Sequence, residues 1–478
     1  MKNLFLVTLV AVLSIFTNCS RNPVTGKKQV VLMSTEQELA MGKEADPQII
    51  QQYGLYEDSS LQQYFRQKGN EMVAISHRSN IQYGFRIINS EVLNAFAVPG
   101  GYVYFTRGIM AYFNNEAEFA GVLGHEIGHI AARHSVAQQR NQTLGQIGII
   151  AGMVLSPTLA QFGEAASQGL GLLMLKNGRD DERQADELGV EYSAKIGYDP
   201  QHMANFFRTL ERQGEGSGQE ELPTFLSTHP SPGERLTTVG KLATEWKQKL
   251  NLTNPKVNRD NYLRKIEGLI IGEDPKEGFL ENGVFYHPPL KFQFSTPTNW
   301  AYQNSPTQVQ FASKDGKAMM LFTLAPAKTL DEAASAVLTQ FKLTQVEARR
   351  INVNGFNALA MVADQVQQQG TIRTLSYLIQ QGETIYLMLG VTALADFNTY
   401  GNLFTNSMES FKTLTDPSKL NKKPARIRIK SVGTSGTLDQ ALRAYGVTGN
   451  KLEQHALLNG MMLADRVNAG TLIKIIGE

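Results

Sequence analysis

Apolar side chains at Phe119, Val122, Leu123, Ile127 and Ile130 recur at the three- and four-residue spacing of one buried helix face. Asn115, with Glu118 three residues on, has the form of a capping box, so the pattern predicts a helix opening just after Asn115. Gly121, Gly124, Gly128, Ala131 and Ala132 lie among these positions. A glycine inside a helix costs about 1 kcal/mol relative to alanine, which points to close packing or a nearby metal site. A further helical stretch with a charged start runs from Asp181 toward Tyr198-Asp199-Pro200. Upstream, Val92 to Ala97 and Tyr102-Val103-Tyr104-Phe105 read as two strands joined by the tight connection Pro99-Gly100-Gly101.

Residues 144–175 are apolar and glycine-rich, but Pro157, Gln161, Glu164 and Gln168 break them into short runs. Buried or cleft-covering helices are expected there rather than a membrane hairpin. After about residue 250 the period changes. Asn254-Pro255 and Asp274-Pro275-Lys276-Glu277-Gly278 mark a linker. Lys291–Ser295, Val309–Ala312, Met319–Thr323, Phe356–Val362, Thr371–Ile379 and Thr384–Val391 then alternate or run apolar at strand length. Helical segments intervene at Leu330–Phe341 and Ala395–Phe411, which together predict an antiparallel α+β domain. No repeat of about 34 residues is present. At the C-terminus, strand Arg426–Val432, helices Thr437–Tyr445 and Leu452–Asn459, and strand Thr471–Ile476 give a β-α-α-β order.

The 478 residues suffice for two or three domains. The formal charge is +2 with no long basic run, which argues against a nucleic-acid partner. Cys19 is the one cysteine, so an intrachain disulfide and a cysteine metal site are both excluded. It ends an export-like segment: Lys2 supplies the positive end, Leu4 to Phe16 the apolar core, and Thr17-Asn18 a polar stop. That core falls short of the roughly 20 residues needed to span a bilayer. A bacterial lipoprotein signal cleaved before a lipidated Cys19 fits best, with a soluble periplasmic protein or an uncleaved anchor as alternatives.

The chemistry lies in the predicted helix. His125-Glu126-Ile127-Gly128-His129 reads H-E-x-x-H, and residues four apart share a helix face, so both imidazoles can bind one zinc. Glu126 is placed to take a proton from water activated by the metal. A third ligand is required. His134 falls about half a turn out of phase and should face away if the helix continues. Ala132 and Ser135 occupy the positions of the glycine and third histidine of the metzincin pattern, which excludes that solution. Glu182 and Asp186 share a face four residues apart; one can bind metal while the other accepts the free N–H of a ligand histidine.

HEIGH followed some fifty residues later by Glu182-Arg183-Gln184-Ala185-Asp186 resembles the HtpX-like and BepA-like zinc metallopeptidases, relatives of the CAAX prenyl proteases and the mitochondrial Oma peptidases. Arg21-Asn22-Pro23-Val24-Thr25-Gly26 looks like the opening of bacterial lipoprotein members. Asn94-Ala95-Phe96-Ala97-Val98-Pro99-Gly100-Gly101 resembles their NAFA-x-PGG segment, and His229-Pro230 with Arg235 their H-P-x-x-x-x-R element. The resemblance spans about residues 20–250. It implies one Zn2+ per chain on His125, His129 and Glu182, Glu126 as base, and Asp186 behind the ligands. Asn94, Ala95, Phe96 and Ala97 are then expected as an edge that binds extended substrate, with Asn94 fixing its backbone and Arg235 assisting. His229 could donate to a developing oxyanion or occupy the metal's open position at rest. Phe294 through Trp300 resembles a PsbP-like opening. The C-terminal segment, with Gly436-Thr437-Leu438, Leu458-Asn459-Gly460 and Gly470-Thr471-Leu472, resembles a divergent LysM domain.

The expected fold is α+β: a signal peptide at 1–19, a mainly helical zincin-type peptidase domain with a small edge sheet at 20–250, a linker at 251–284, an antiparallel α+β domain at 285–415 and a LysM-like domain at 424–478. The expected function is a zinc endopeptidase of the bacterial envelope, facing the periplasm from a membrane, with the outer membrane expected. It would cleave unfolded or misassembled envelope proteins, with peptidoglycan as a further partner. The alternative is a catalytically quiet scaffold that binds through residues 285–478.

Overall fold

Helix pairing places the chemistry of this chain, so the fold is best followed from the helices. A computed structural model describes residues 19–30, 33–139, 149–150, 153–154, 156, 159, 178–216, 225, 228–229, 232–368 and 370–478. The export-like segment, residues 1–18, lies outside them. Strands β1 (Cys19–Arg21) and β2 (Lys28–Val30) pair antiparallel. Helices α1 (Thr35–Tyr53) and α2 (Ser59–Val73) follow, then β3 (Gly84–Ile88), β4 (Ala95–Val98) and β5 (Tyr102–Thr106). The sheet order is β3-β5-β4, with β3 parallel and β4 antiparallel to β5, so β4 is an edge strand.

A short helix α3 (Arg107–Tyr112) leads into α4 (Glu116–Ala132), whose every residue is buried. Asn115 caps it by accepting the Glu118 N–H at 2.9 Å, while the Glu118 carboxylate accepts from the Asn114 backbone N–H at 2.7 Å and from the Asn115 side-chain amide at 2.9 Å. Arg133, at φ 60°, ends the helix before α5 (His134–Gln139). The buried carboxylate of Glu38 holds Arg78 at 2.6 Å and Arg133 at 2.9 Å beneath that end. Asn22 donates to the Ala132 carbonyl at 3.1 Å, satisfying one of the last carbonyls.

Most of residues 144–175 lies outside the described residues, and with it most of the expected cleft-covering helices. Where the stretch is described, β6 (Ile149–Ile150) and β7 (Met153–Val154) form a short ladder instead, because their β-branched and apolar residues can pair locally. The chain then enters α6 (Arg179–Lys195), α7 (Gln201–Gly216), α8 (Pro232–Lys249) and α9 (Arg259–Lys265). The glycines of α4 set the approach of its neighbours. A Cβ on Gly124 would lie 3.0 Å from the Gly189 Cα, and one on Gly121 would lie 2.7 Å from the Met203 Cβ. Residues 251–284, expected as a linker, instead send Tyr262, Leu263, Ile266, Leu269 and Ile270 into the core around α4. The Asn-Pro and Asp-Pro breaks are turns between packed pieces.

Strands β8 (Phe279–Glu281), β9 (Val284–His287) and β10 (Phe292–Ser295) precede β11 (Ala301–Asn304), β12 (Gln308–Ala312) and β13 (Ala318–Ala325). Helix α10 (Leu330–Gln340), strands β14 (Thr344–Val353), β15 (Phe356–Gln367), β16 (Gly370–Gln381) and β17 (Thr384–Ala393), helix α11 (Phe397–Glu409) and strand β18 (Lys412–Thr413) follow. Seven strands form an antiparallel sheet in the order β11-β12-β13-β17-β16-β15-β14. Alternation sorts its faces: Met319, Leu321, Leu387 and Leu389 pack on α10, whereas Met320, Phe322, Tyr386 and Met388 pack on α11 and β10. Leu159 is buried with the α10 face. The expected strands of this unit are present within a few residues, and β11 and β14 are added to them at the two edges of the seven-stranded sheet.

After α12 (Pro417–Leu420), a strand–helix–helix–strand unit closes the chain: β19 (Arg426–Ser431), β20 (Gly436–Thr437), α13 (Leu438–Ala444), α14 (Lys451–Leu458), β21 (Arg466–Val467) and β22 (Leu472–Gly477). β19 pairs with β22, and Ile427, Leu458 and Leu472 join the core around α4. The fold class is α+β. Among the described residues, no helix is long and apolar enough to cross a membrane.

Candidate metal centre

The close packing of α4 on α6 brings Glu182 and Asp186 under the histidines of α4. Phe225 donates its backbone N–H to the Leu93 carbonyl at 3.1 Å, and His229 donates its backbone N–H to the Phe225 carbonyl at 2.8 Å, setting its ring over the same spot. Four buried donors converge there: His125, His129, Glu182 and His229, with ligand atoms all within 4.8 Å of one another. His125 Nε2 is 3.0 Å from His129 Nε2, 3.2 Å from His229 Nδ1 and 3.5 Å from Glu182 Oε2. His129 Nε2 is 3.4 Å from Glu182 Oε1. A tetrahedron with zinc–ligand bonds of about 2.0–2.1 Å has edges of about 3.3–3.4 Å, so the spacing suits zinc. The three-imidazole, one-carboxylate chemistry does too.

Behind each ligand stands a partner. His125 Nδ1 lies 3.0 Å from Asp186 Oδ1, and Arg235 donates to both Asp186 oxygens at 2.7 and 2.8 Å. Arg235 also lies 2.9 Å from Glu182 Oε2 and donates to the His229 carbonyl at 3.0 Å. Burial raises the Asp186 and Glu182 carboxyls, but Arg235 for the first and the His229 imidazole for the second outweigh it and hold both below the usual range. Burial pulls His125 down to about 3, so its ring is a neutral donor to a cation.

Glu126 is different. Neither carboxylate oxygen has a hydrogen-bond partner, though the residue is fully buried, and burial pushes its carboxyl up to about 7. The nearest polar group among its ion-pair contacts is His229 Nε2, at 3.7 Å.

The other expected site residues are placed less simply. Arg235 was expected to assist substrate; it is buried and committed to Asp186, Glu182 and the His229 carbonyl, so it braces the ligands instead. Asn94 was expected to fix the substrate backbone, but its side chain is fully buried and accepts the Ala95 N–H at 2.9 Å. The Phe96 ring stacks on Tyr104 at 4.9 Å and faces the core. Thr106 donates its N–H to the Asn94 carbonyl, so ladder alternation turns the main-chain groups of Ala95 and Ala97 toward the open edge. The Ala95 carbonyl lies 3.4 Å from His229 Nε2. His134, set aside by helical phase, contacts His129 from behind at 2.9 Å. The signal that it could return is only the αL residue Arg133, which the sequence does not mark.

Residues 59–243, which contain every residue of this centre, match Peptidase family M48. Over 324 residues the chain is 31% identical to the beta-barrel assembly-enhancing protease of Yersinia pestis, covering 65% of this chain and 61% of that one. The Escherichia coli K12 protein of the same name is 30% identical over 52% of this chain and 51% of its own. The mitochondrial metalloendopeptidase OMA1 of Arabidopsis thaliana is 29% identical over 42% of this chain and 40% of its own. The chain thus spans between two-fifths and three-fifths of these relatives. Among solved structures, cyanobacterial PsbP from Synechocystis aligns with 27% of this chain and 91% of its own, at 14% identity and a TM-score of 0.24.

Proposed function

Because this chain belongs, through residues 59–243, to the HtpX/BepA/Oma-like family of metallopeptidases, we propose that it is a zinc-dependent endopeptidase of the bacterial cell envelope. His125, His129 and Glu182 would hold the metal. Zinc supplies a Lewis acid and brings the pKa of water toward about 7. Glu126 takes the proton of the attacking water and returns it to the leaving amine. The observation that carries this reading is the unpartnered Glu126 carboxylate, buried beside four convergent donors. An unpaired buried carboxylate costs stability, which a scaffold has no need to bear.

Extended substrate adds to β4 through the Ala95 carbonyl and the main-chain groups of Ala97, the Ala95 N–H being held by Asn94. His229 would be the fourth ligand at rest through Nδ1, with its Nε2 3.4 Å from the Ala95 carbonyl. One side chain then closes both the metal's open position and part of the substrate edge, and its displacement opens both. Asp186 and Arg235 hold the ligand geometry from behind.

The export-like segment and the beta-barrel assembly-enhancing relatives favour an enzyme tethered through lipidated Cys19, facing the periplasm from the outer membrane. Unfolded or misassembled envelope proteins would be its substrates. The strand–helix–helix–strand unit at 426–477, read as LysM-like, would keep it near peptidoglycan.

Glu126→Gln tests the central claim. The variant should keep about one zinc per chain and its fold, yet lose cleavage of envelope proteins seen with wild type in cleavage-site profiling. Appreciable turnover by the variant would mean that another group is the base.

A further inference from the structure

We propose that Lys474, in the last strand, is a positioning residue for helix α4 and so sets where Glu126 stands relative to Glu182 on α6 and to His229. The inference rests on the peptidase reading above. Helix α3 ends at Tyr112 and α4 starts at Glu116, and the final carbonyls of α3 need donors from outside the helix. Tyr262 serves the Met110 carbonyl at 2.7 Å. Lys474 Nζ serves those of Ala111 at 2.8 Å and Phe113 at 3.1 Å. The lysine is fully buried, and its own backbone is fixed on both sides by Asn459, each bond 2.8 Å.

The same C-terminal unit touches this turn again at Gly460 and is tied to the segments packed around α4. Gly460 lies so close that a Cβ there would sit 2.7 Å from Asn114 Nδ2. Arg212 of α7 donates to the Met461 carbonyl at 3.0 Å. Main-chain bonds of 2.8 Å run from Gly268 to the Ile427 carbonyl and from Ile427 to the Leu269 carbonyl. From Asn115 to His125 is about 15 Å of helix, buried throughout and thus unable to absorb a shift by bending into solvent. A displacement of its first turn is carried to Glu126, whereas Glu182 and His229 stand on other segments. Glu118, the buried acid whose field Lys474 feels, lies in that first turn.

The test uses the full chain, loaded with zinc for turnover of unfolded casein and with Co2+ for the visible spectrum of the site. Lys474→Met/Glu118→Gln is compared with Glu118→Gln alone, which shares the changed contact with Asn114, so the difference isolates the two carbonyl bonds without leaving Glu118 as an uncompensated charge. Per metal-loaded molecule, kcat should fall at least about tenfold with KM within about twofold, since misplacement near the reacting atoms is costly. The Co2+ bands should shift, and Lys474→Arg should recover part of both. Gly460→Ala, which keeps every charge and presses on Asn114, should give the same pattern if the double variant fails to fold. A lowered melting temperature with unchanged kcat and unchanged Co2+ spectrum would overturn the inference, as would failure of both variants to yield metal-loaded protein. A spectral shift in protein whose wild type cleaves nothing would uphold the positioning and sink the peptidase reading.

Discussion

His134 Nδ1 lies 2.9 Å from His129 Nδ1, although on one continuous helix residues five apart would diverge. With His129 Nε2 facing the other three donors, a metal there would leave its Nδ1–H to donate to His134, whose own Nε2–H would then donate to Gln184 Oε1 at 3.0 Å. Burial, reinforced by His129, brings His134 down to about 4, so it remains a neutral acceptor at pH 7. His134→Phe should therefore keep the ligand set but weaken zinc binding by about 10–100-fold in chelator competition. Unchanged affinity would remove His134 from the site.

Arg235 neutralises two buried carboxylates at once. Arg235→Met leaves Asp186 and Glu182 without their cation and should cost the zinc-free protein about 3–5 kcal/mol, the usual penalty for breaking a buried pair. Arg235→Lys should recover only part of this, because a lysine cannot reproduce the two-pronged contact with Asp186. Urea midpoints decide it, and a loss under about 1 kcal/mol would count against the bracing role.

His229 makes a prediction with a sign. If Nδ1 fills the metal's fourth position at rest, His229→Ala should retain zinc and raise basal cleavage of an unfolded test substrate. An oxyanion donor would behave oppositely, and its loss would cut the rate by about 10²–10³. The short contacts of Nδ1 with His125 and Glu182 favour the rise.

His287, far from the metal in β9, reports on acid stability. Burial lowers its pKa from 6.5 to about 4. Between those values the unfolded chain binds more protons than the folded one, so stability is lost as pH falls from about 6.5 toward 4. The loss from this group is at most about 3 kcal/mol. His287→Phe should show a smaller drop in urea midpoint between pH 7 and pH 5 than wild type; an equal drop would show that the imidazole does not titrate in this window.

The sequence by itself determined the elements whose patterning is local. Helix α4 was legible because its apolar stripe, cap and paired histidines all follow the 3.6-residue turn, and the central strands of the large sheet because burial on both faces demands apolar runs. Edge strand β14 was not legible: Thr344 to Arg350 are exposed and carry no burial pattern, and the strand is held by the ladder to β15 and by Ile351 and Val353 at its far end. Only the tertiary structure decided the roles of Arg235, Asn94 and His134. Arg235 and Asn94 carry polar groups that could face substrate or protein equally well, and burial against Asp186 and Ala95 chose protein. His134 depended on a single left-handed residue that reverses the chain after Ala132. Residues 251–284 read as linker because prolines mark turns, and a turn between packed elements has the same sequence as a turn in free chain. The reach of Lys474 across to Ala111 and Phe113 has no local signature at all, since a lysine is buried only when distant carbonyls are brought to it.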